Sequence, residues 1–282
     1  HEVEPREQAG AQTGALYEYQ YHQAAAEALS LIDDAQVVCI YCEWHDDYVK
    51  EGSGGAQYEF HQVKTRKGSR RPWTLRKFFG LAGKAGKGSS APAALPDSVF
   101  ARLWDHTQKF GDRCKGFVFV TDAAVDPKIE ALLTDAKASP QAAALPSRSA
   151  TIFRRVRDAV AQTVPGVSDD SLFSFLARMR VKDCLGDADD LPGCRVLIAS
   201  RILEASEVDL LVSEAKKIGA ALVAAVRERS HRTLKSLPPS VDDLRGSKGL
   251  IIDNLLRLLS LSTEGYHQLR AGGRNRRAQP GH

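Results

Sequence analysis

Residues 37–67, VVCIYCEWHDDYVKEGSGGAQYEFHQVKTRK, constrain the fold of this chain most. They contain two runs of strand character joined by a Gly/Ser-rich turn at 51–55, in a sequence whose remaining periodicity is mostly helical. Side chains two apart on a strand face the same way, so Gln62 and Lys64 share one face while Val63 takes the other. By the same parity Glu43, His45 and Asp47 share a face on the first run. If the runs pair across the turn, carboxylates, an amide oxygen and an ammonium converge, which is the inventory for a divalent metal beside a phosphate.

Around that stretch the chain reads in order. Residues 1–13 are polar and form an extended arm. Over 14–32, Leu16, Tyr17, Tyr21, Ala24, Ala25, Ala28, Leu29 and Ile32 recur at helical intervals, and Asp33-Asp34 ends the helix. A basic run fills 64–73, a short helix spans 75–81, and the Gly/Ala/Ser/Pro composition of 82–96 reads as a mobile loop. Ser98 caps a helix with Phe100, Leu103, Trp104, Thr107 and Phe110 on one stripe, and KGFVFVT at 115–121 is a buried strand. Beyond 126 the pattern is helical nearly throughout, at 127–138, 150–163, 169–179, 196–202, 206–235 and 248–261.

This order predicts an α/β core over 1–125. A helical extension follows over 126–265, packed on the core and offering an assembly surface, then a basic tail over 266–282. With 43% hydrophobic and 26% charged residues the chain is of ordinary globular composition, and a net charge of +4 permits an anionic partner. Five cysteines without regular spacing argue against a disulfide framework and for a reducing compartment. No run of about 18 apolar residues is present, so no membrane span is expected.

Phosphodiester hydrolysis needs the phosphate charge neutralised and a water activated, which carboxylate-held Mg²⁺ supplies. Asp47 and the Gln62 amide oxygen, with Glu43 as auxiliary, are suitable oxygen ligands, and Lys64 can stabilise charge on the phosphorane. The bland alternative is a solvated cross-strand charge pair. Cys39, Cys42 and His45 have a zinc-like spacing, but positions three apart on a strand face opposite ways and no second ligand pair follows. The loop at 80–90 fails as a phosphate loop, because Leu81 precedes Lys87 by six and Gly88 follows it. Asp189-Asp190 and Asp242-Asp243 read as turns or helix starts. Arg66, Lys67, Arg70 and Arg71, with Lys84 and Lys87 in the next loop, suit a nucleic-acid backbone.

Pro-Arg-Glu-x-x-Gly at 5–10, Tyr19-Gln20, the EWHDD of 43–47, the FHQVKT of 60–65 and Trp73-Thr74 together resemble the effector endonuclease domain of bacterial anti-phage systems. The strand at 115–121, the helix SLFSFLARM and the Ser247-Lys248-Gly249 turn are similar too. That family belongs to the PD-(D/E)xK, restriction-endonuclease-like superfamily and is best known fused to a cyclic-oligonucleotide sensor in CBASS defence. The resemblance implies a mixed sheet flanked by helices and a cytoplasmic, Mg²⁺- or Mn²⁺-dependent endonuclease acting on double-stranded DNA. It assigns the metal aspartate to Asp47 or Asp46 and the catalytic lysine to Lys64, with Gln62 where most relatives carry Glu, and a helix-one auxiliary at Gln20 or Glu18. It also implies control by a sensor domain or a separate regulator such as a motor ATPase, and a homo-oligomer. A catalytically degenerate DNA-binding adaptor and an RNA-directed nuclease are the competing readings.

Overall fold

A computed structural model describes the backbone of residues 9–54, 57–66, 71–81, 98–163, 167–206, 209–234 and 240–259; the side chains at 9–12, 162–163 and 258–259 are outside the description. The elements run α1 (Ala9–Ala28), α2 (Ser30–Asp33), β1 (Val37–Trp44), β2 (Asp46–Gly52), β3 (Gln57–Lys64), α3 (Leu75–Phe79), α4 (Val99–Phe110) and β4 (Cys114–Thr121). They continue with α5 (Pro127–Ala138), α6 (Ser147–Thr163), α7 (Asp169–Arg178), β5 (Met179–Asp183), α8 (Leu191–Ala205), α9 (Val212–His231), α10 (Val241–Lys248), β6 (Gly249–Leu250) and α11 (Ile252–Leu259). Antiparallel and parallel strand pairs both occur, with helices throughout, so the class is α/β with mixed strands, as expected. The chain divides into two compact units, one of residues 1–57 with 184–282 and one of residues 58–183.

In the first unit β1 is flanked by antiparallel β2 and β6. Helices α1, α8 and α9 pack on one another, and α9 and α10 pack on β1. Ala24, Ala25, Ala26 and Ala28 are buried on α1, and short side chains there allow close helix approach. Two glycines mark other close approaches. A Cβ at Gly219 of α9 would lie 3.2 Å from Ile198 Cγ2 on α8, and one at Gly249 would lie 2.7 Å from both Arg245 O and Cys39 Sγ.

In the second unit β3, β4 and β5 are parallel, in the order β3-β4-β5. Parallel neighbours need crossovers, and here α3 and α4 connect β3 to β4 while α5, α6 and α7 connect β4 to β5. All of β4 except Lys115 is buried, which is why its sequence is a continuous apolar run. Its own Phe117 and Phe119 pack in a cluster with Phe60, Phe78, Phe79, Phe100, Trp104 and Phe175, the Phe117 and Phe175 ring centroids 4.5 Å apart. Ser98 caps α4 through its Oγ, which accepts from Ala101 N at 3.0 Å.

Several expectations are corrected. The run after Val37 is not one strand: it reverses at His45 into the antiparallel pair β1–β2, with Trp44 opposite Asp46. The parity that grouped Glu43, His45 and Asp47 on one face therefore does not apply, since parity holds only along an uninterrupted strand. Residues 9–13 are helical rather than extended, because α1 begins at Ala9. Strands also occur beyond 126, where a pattern helical nearly throughout was expected: Met179–Asp183 pairs with β4, and Gly249–Leu250 pairs with β1. Asp190 caps α8, and Asp242 and Asp243 open α10, consistent with helix starts. Among the described residues, no helix is long and apolar enough to cross a membrane.

Candidate functional site

The first unit supplies a carboxylate cluster on a bent hairpin. The reversal puts two non-glycine residues in the left-handed region, Glu43 at φ 51° and His45 at φ 61°. Such conformations persist only where surrounding structure holds them. Glu43 and Asp47 lie between the pairings Trp44 with Asp46 and Cys42 with Tyr48, on the two strands of the hairpin.

Helix α1 carries the next component. Gln20 Nε2 donates to Asp47 Oδ1 at 2.9 Å, and Asp47 N donates to Asp46 Oδ1 at 3.1 Å. Gln20 Oε1 is buried without a hydrogen-bond partner among the described residues. The other helix-one candidate, Glu18, is ion-paired with Arg227 on α9. The helix is anchored on both sides of Gln20. Tyr19 OH donates to Gly186 O at 2.9 Å, and Leu185 N donates to Gln23 Oε1 at 2.9 Å. Glu27 of α1 is also paired with Lys50 of β2.

A buried cation lies behind Glu43. Lys248 Nζ donates to Ser230 O at 2.8 Å; burial pushes its pKa down, and the Glu43 charge pulls the other way. Cys39 and Cys42 are buried in β1, and burial raises both thiols to about 12, so they are packing groups. Among the described residues no group of three or more His, Cys, Asp or Glu could hold a metal.

The second unit supplies the Gln-x-Lys element. Gln62 is central in β3, opposite Phe119 of β4, and only 2% exposed. Its Oε1 is buried without a hydrogen-bond partner among the described residues. Lys64 closes β3 opposite Thr121 and is half-buried. On the alternate parity His61 Nε2 lies 2.8 Å from Glu59 Oε1, which also accepts from Arg180 Nη2 at 2.7 Å. Burial raises the Glu59 pKa, but His61 and Arg180 outweigh it and leave the carboxyl well below its usual range.

Of the six basic residues expected to meet nucleic acid, Lys67, Arg70, Lys84 and Lys87 lie outside the described residues. Arg71 is exposed. Arg66 instead lays its guanidinium 4.1 Å over the Trp73 ring. Arg227, Lys248 and Thr65 were not among the site residues expected from sequence. The roles of the first two depend on contacts some 200 residues apart, which no local pattern shows.

In the first unit the Asp47 carboxylate and the orphaned Gln20 Oε1, and separately in the second the orphaned Gln62 Oε1, are oxygen donors of the type Mg²⁺ takes.

The chain is an α/β protein with mixed strands, a carboxylate-bearing hairpin in its first unit and a Gln-x-Lys strand in its second. The chain belongs to the Cap4 nuclease family, whose model, described as the Cap4 dsDNA endonuclease domain, matches residues 8–230. Similar solved structures include the Acinetobacter baumannii Cap4 SAVED/CARF-domain containing receptor with the cyclic trinucleotide 2'3'3'-cAAA, at 12% identity and TM-score 0.48 over 89% of this chain and 46% of that one. Another is the Moraxella osloensis Cap4 SAVED/CARF-domain containing receptor, at 13% identity and TM-score 0.46 over 88% and 47%. The chain thus spans under half the length of these relatives. No curated protein matches it by sequence.

Proposed function

We propose that this chain is the endonuclease part of an anti-phage effector of the CBASS type, hydrolysing phosphodiester bonds of double-stranded DNA with Mg²⁺ or Mn²⁺. The observation that carries the proposal is the family match over residues 8–230. In this reading Asp47 and Gln62 hold the cation, with Glu43 or Asp46 as auxiliary. A bound divalent ion would neutralise the phosphate and lower the pKa of a water. Gln20 orients Asp47 by its hydrogen bond, and the Lys64 ammonium stabilises the charge that develops on the phosphoryl oxygens. Activation comes from a sensor domain or a partner outside these residues; the Acinetobacter relative is described as a receptor with a cyclic trinucleotide.

Supercoiled plasmid with Mg²⁺ or Mn²⁺ tests the reading. Cleavage is expected, is abolished by EDTA, and falls about 100-fold or more in Lys64→Ala and in Asp47→Ala. Undiminished cleavage by both variants sinks the site assignment. Duplex that is bound but intact under every metal identifies an adaptor, and preferential RNA cleavage identifies an RNA-directed enzyme.

A further inference from the structure

Beyond the strand that carries Lys64, the second unit holds a small cationic platform. Parallel strands β3 and β4 end together, Lys64 opposite Thr121, and the carboxyl ends of parallel strands are where α/β sheets place ligands. Trp73 is fixed there from several directions. Its ring N–H donates to Thr121 Oγ1 at 2.9 Å, and its ring meets Phe119 edge-on at 5.0 Å. Its backbone N–H donates to Ala124 O at 2.8 Å, and its carbonyl accepts from Asp126 N at 2.9 Å. Arg66 stacks on this immobile ring.

The guanidinium is held but incompletely satisfied. Nη2 of Arg66 and Oγ1 of Thr65 are both buried without a hydrogen-bond partner among the described residues. The Asp122 carboxylate accepts from the Arg66 backbone N–H at 2.9 Å, and no ion pair joins it to the guanidinium among the described residues. A buried donor on a charged group without an acceptor is costly in a folded protein and marks a missing partner. A planar cation plus a hydroxyl calls for an oxyanion, and the rigid fork of a guanidinium matches phosphate oxygens.

We propose that Thr65 and Arg66, braced by Trp73, form a subsite for a single phosphate group. Its occupant in the working protein is a DNA phosphate next to the one attacked, a deepening that rests on the nuclease reading above. The subsite fixes register, whereas exposed basic residues add only sequence-independent, salt-sensitive affinity.

The test is kept free of catalysis. Inorganic phosphate is titrated into the chain with ¹⁵N-labelled arginine in EDTA. One arginine Nε resonance shifts saturably and is absent from Arg66→Lys. Phosphate affinity falls about ten-fold in Arg66→Lys, which keeps the charge and loses the fork, and several-fold in Thr65→Val and Trp73→Leu, with circular dichroism unchanged. No saturable shift in the wild type, or Arg66→Lys binding phosphate as tightly as the wild type, overturns the subsite. Plasmid cleavage by the wild type without phosphate binding sinks the subsite alone. Phosphate binding with plasmid intact under every metal sinks the nuclease reading and leaves an anion site. When both hold, Arg66→Lys and Thr65→Val shift KM or kcat on short duplexes while the salt dependence of the remaining affinity persists.

Discussion

In the first unit the ladder is antiparallel, short and turned back at one residue, His45, with its polar groups tied to a helix. In the second it is parallel and buried, its polar groups carried on an aromatic-filled scaffold. The first holds Asp47 by individual bonds, from Gln20 above all, on a backbone strained at Glu43 and His45. The second holds Gln62 and Lys64 by the pleat of β3, which needs no local bonds because β4 beside it is packed on both faces. Directed bonds allow re-aiming of a side chain; packing does not. In the first unit the polar groups rest on directed bonds, and in the second on the packed sheet.

That contrast ranks the expected effects. Phe119→Ala in β4 removes a fully buried ring that touches Trp73 and Phe78, and a loss of about 3–5 kcal/mol is expected by denaturant titration. A loss below about 1 kcal/mol would deny that packing holds the second unit.

Arg245→Ala comes next. Glu51, 5% exposed, accepts Arg245 Nη2 at 2.9 Å and Tyr41 OH at 2.6 Å, so losing the arginine strands a buried carboxylate. Arg245 is itself 42% exposed, so the cost is discounted to about 2 kcal/mol. A neutral result would mean that directed polar bonds are not what secures β1 and β2.

The third expectation is a pH dependence in the second unit. Glu59 has its folded pKa depressed below the ordinary 4.5 by His61 and Arg180, against burial. Its stabilisation is therefore present above 4.5 and lost as pH falls from there toward the depressed folded value. Melting temperature against pH should show this acid limb in the wild type and a flatter one in Glu59→Gln. Identical limbs would remove Glu59 as its source.

The smallest effect is a gain. His45→Gly relieves one left-handed residue and should raise stability by about 1 kcal/mol, seen as a higher urea midpoint at unchanged slope. A loss would show that the His45 side chain, whose ring lies 4.9 Å from Trp44, outweighs the strain.

Much of the fold was legible where the signal is local. The apolar run 115–121 is β4, the Ser98 cap opens α4, and the 127–138 pattern is α5 to the residue. The site was legible in part: residue types and the Gln62-x-Lys64 parity survive in β3, and Gln20 does meet Asp47. The Glu43–His45–Asp47 parity did not survive, since nothing in EWHDD announces a reversal. Turn chemistry favours Gly or Asn at positive φ, and here Glu and His occupy it.

The sequence by itself determined the capped amphipathic helices such as α4 and α5 and the buried strand β4, because hydrophobic period and caps act over a few residues. It also determined the inventory of acids, amides and cations from which a site could be built. Only the tertiary structure decided the rest. It tied Gln20 to Asp47 and Glu18 to Arg227, and turned the hairpin back at His45. It made a strand of Met179–Asp183 by offering β4 as a parallel partner, and put Arg66 on Trp73. Each of those outcomes depends on groups brought together from distant parts of the chain or on a backbone conformation against local preference. Such contacts leave no period in the sequence.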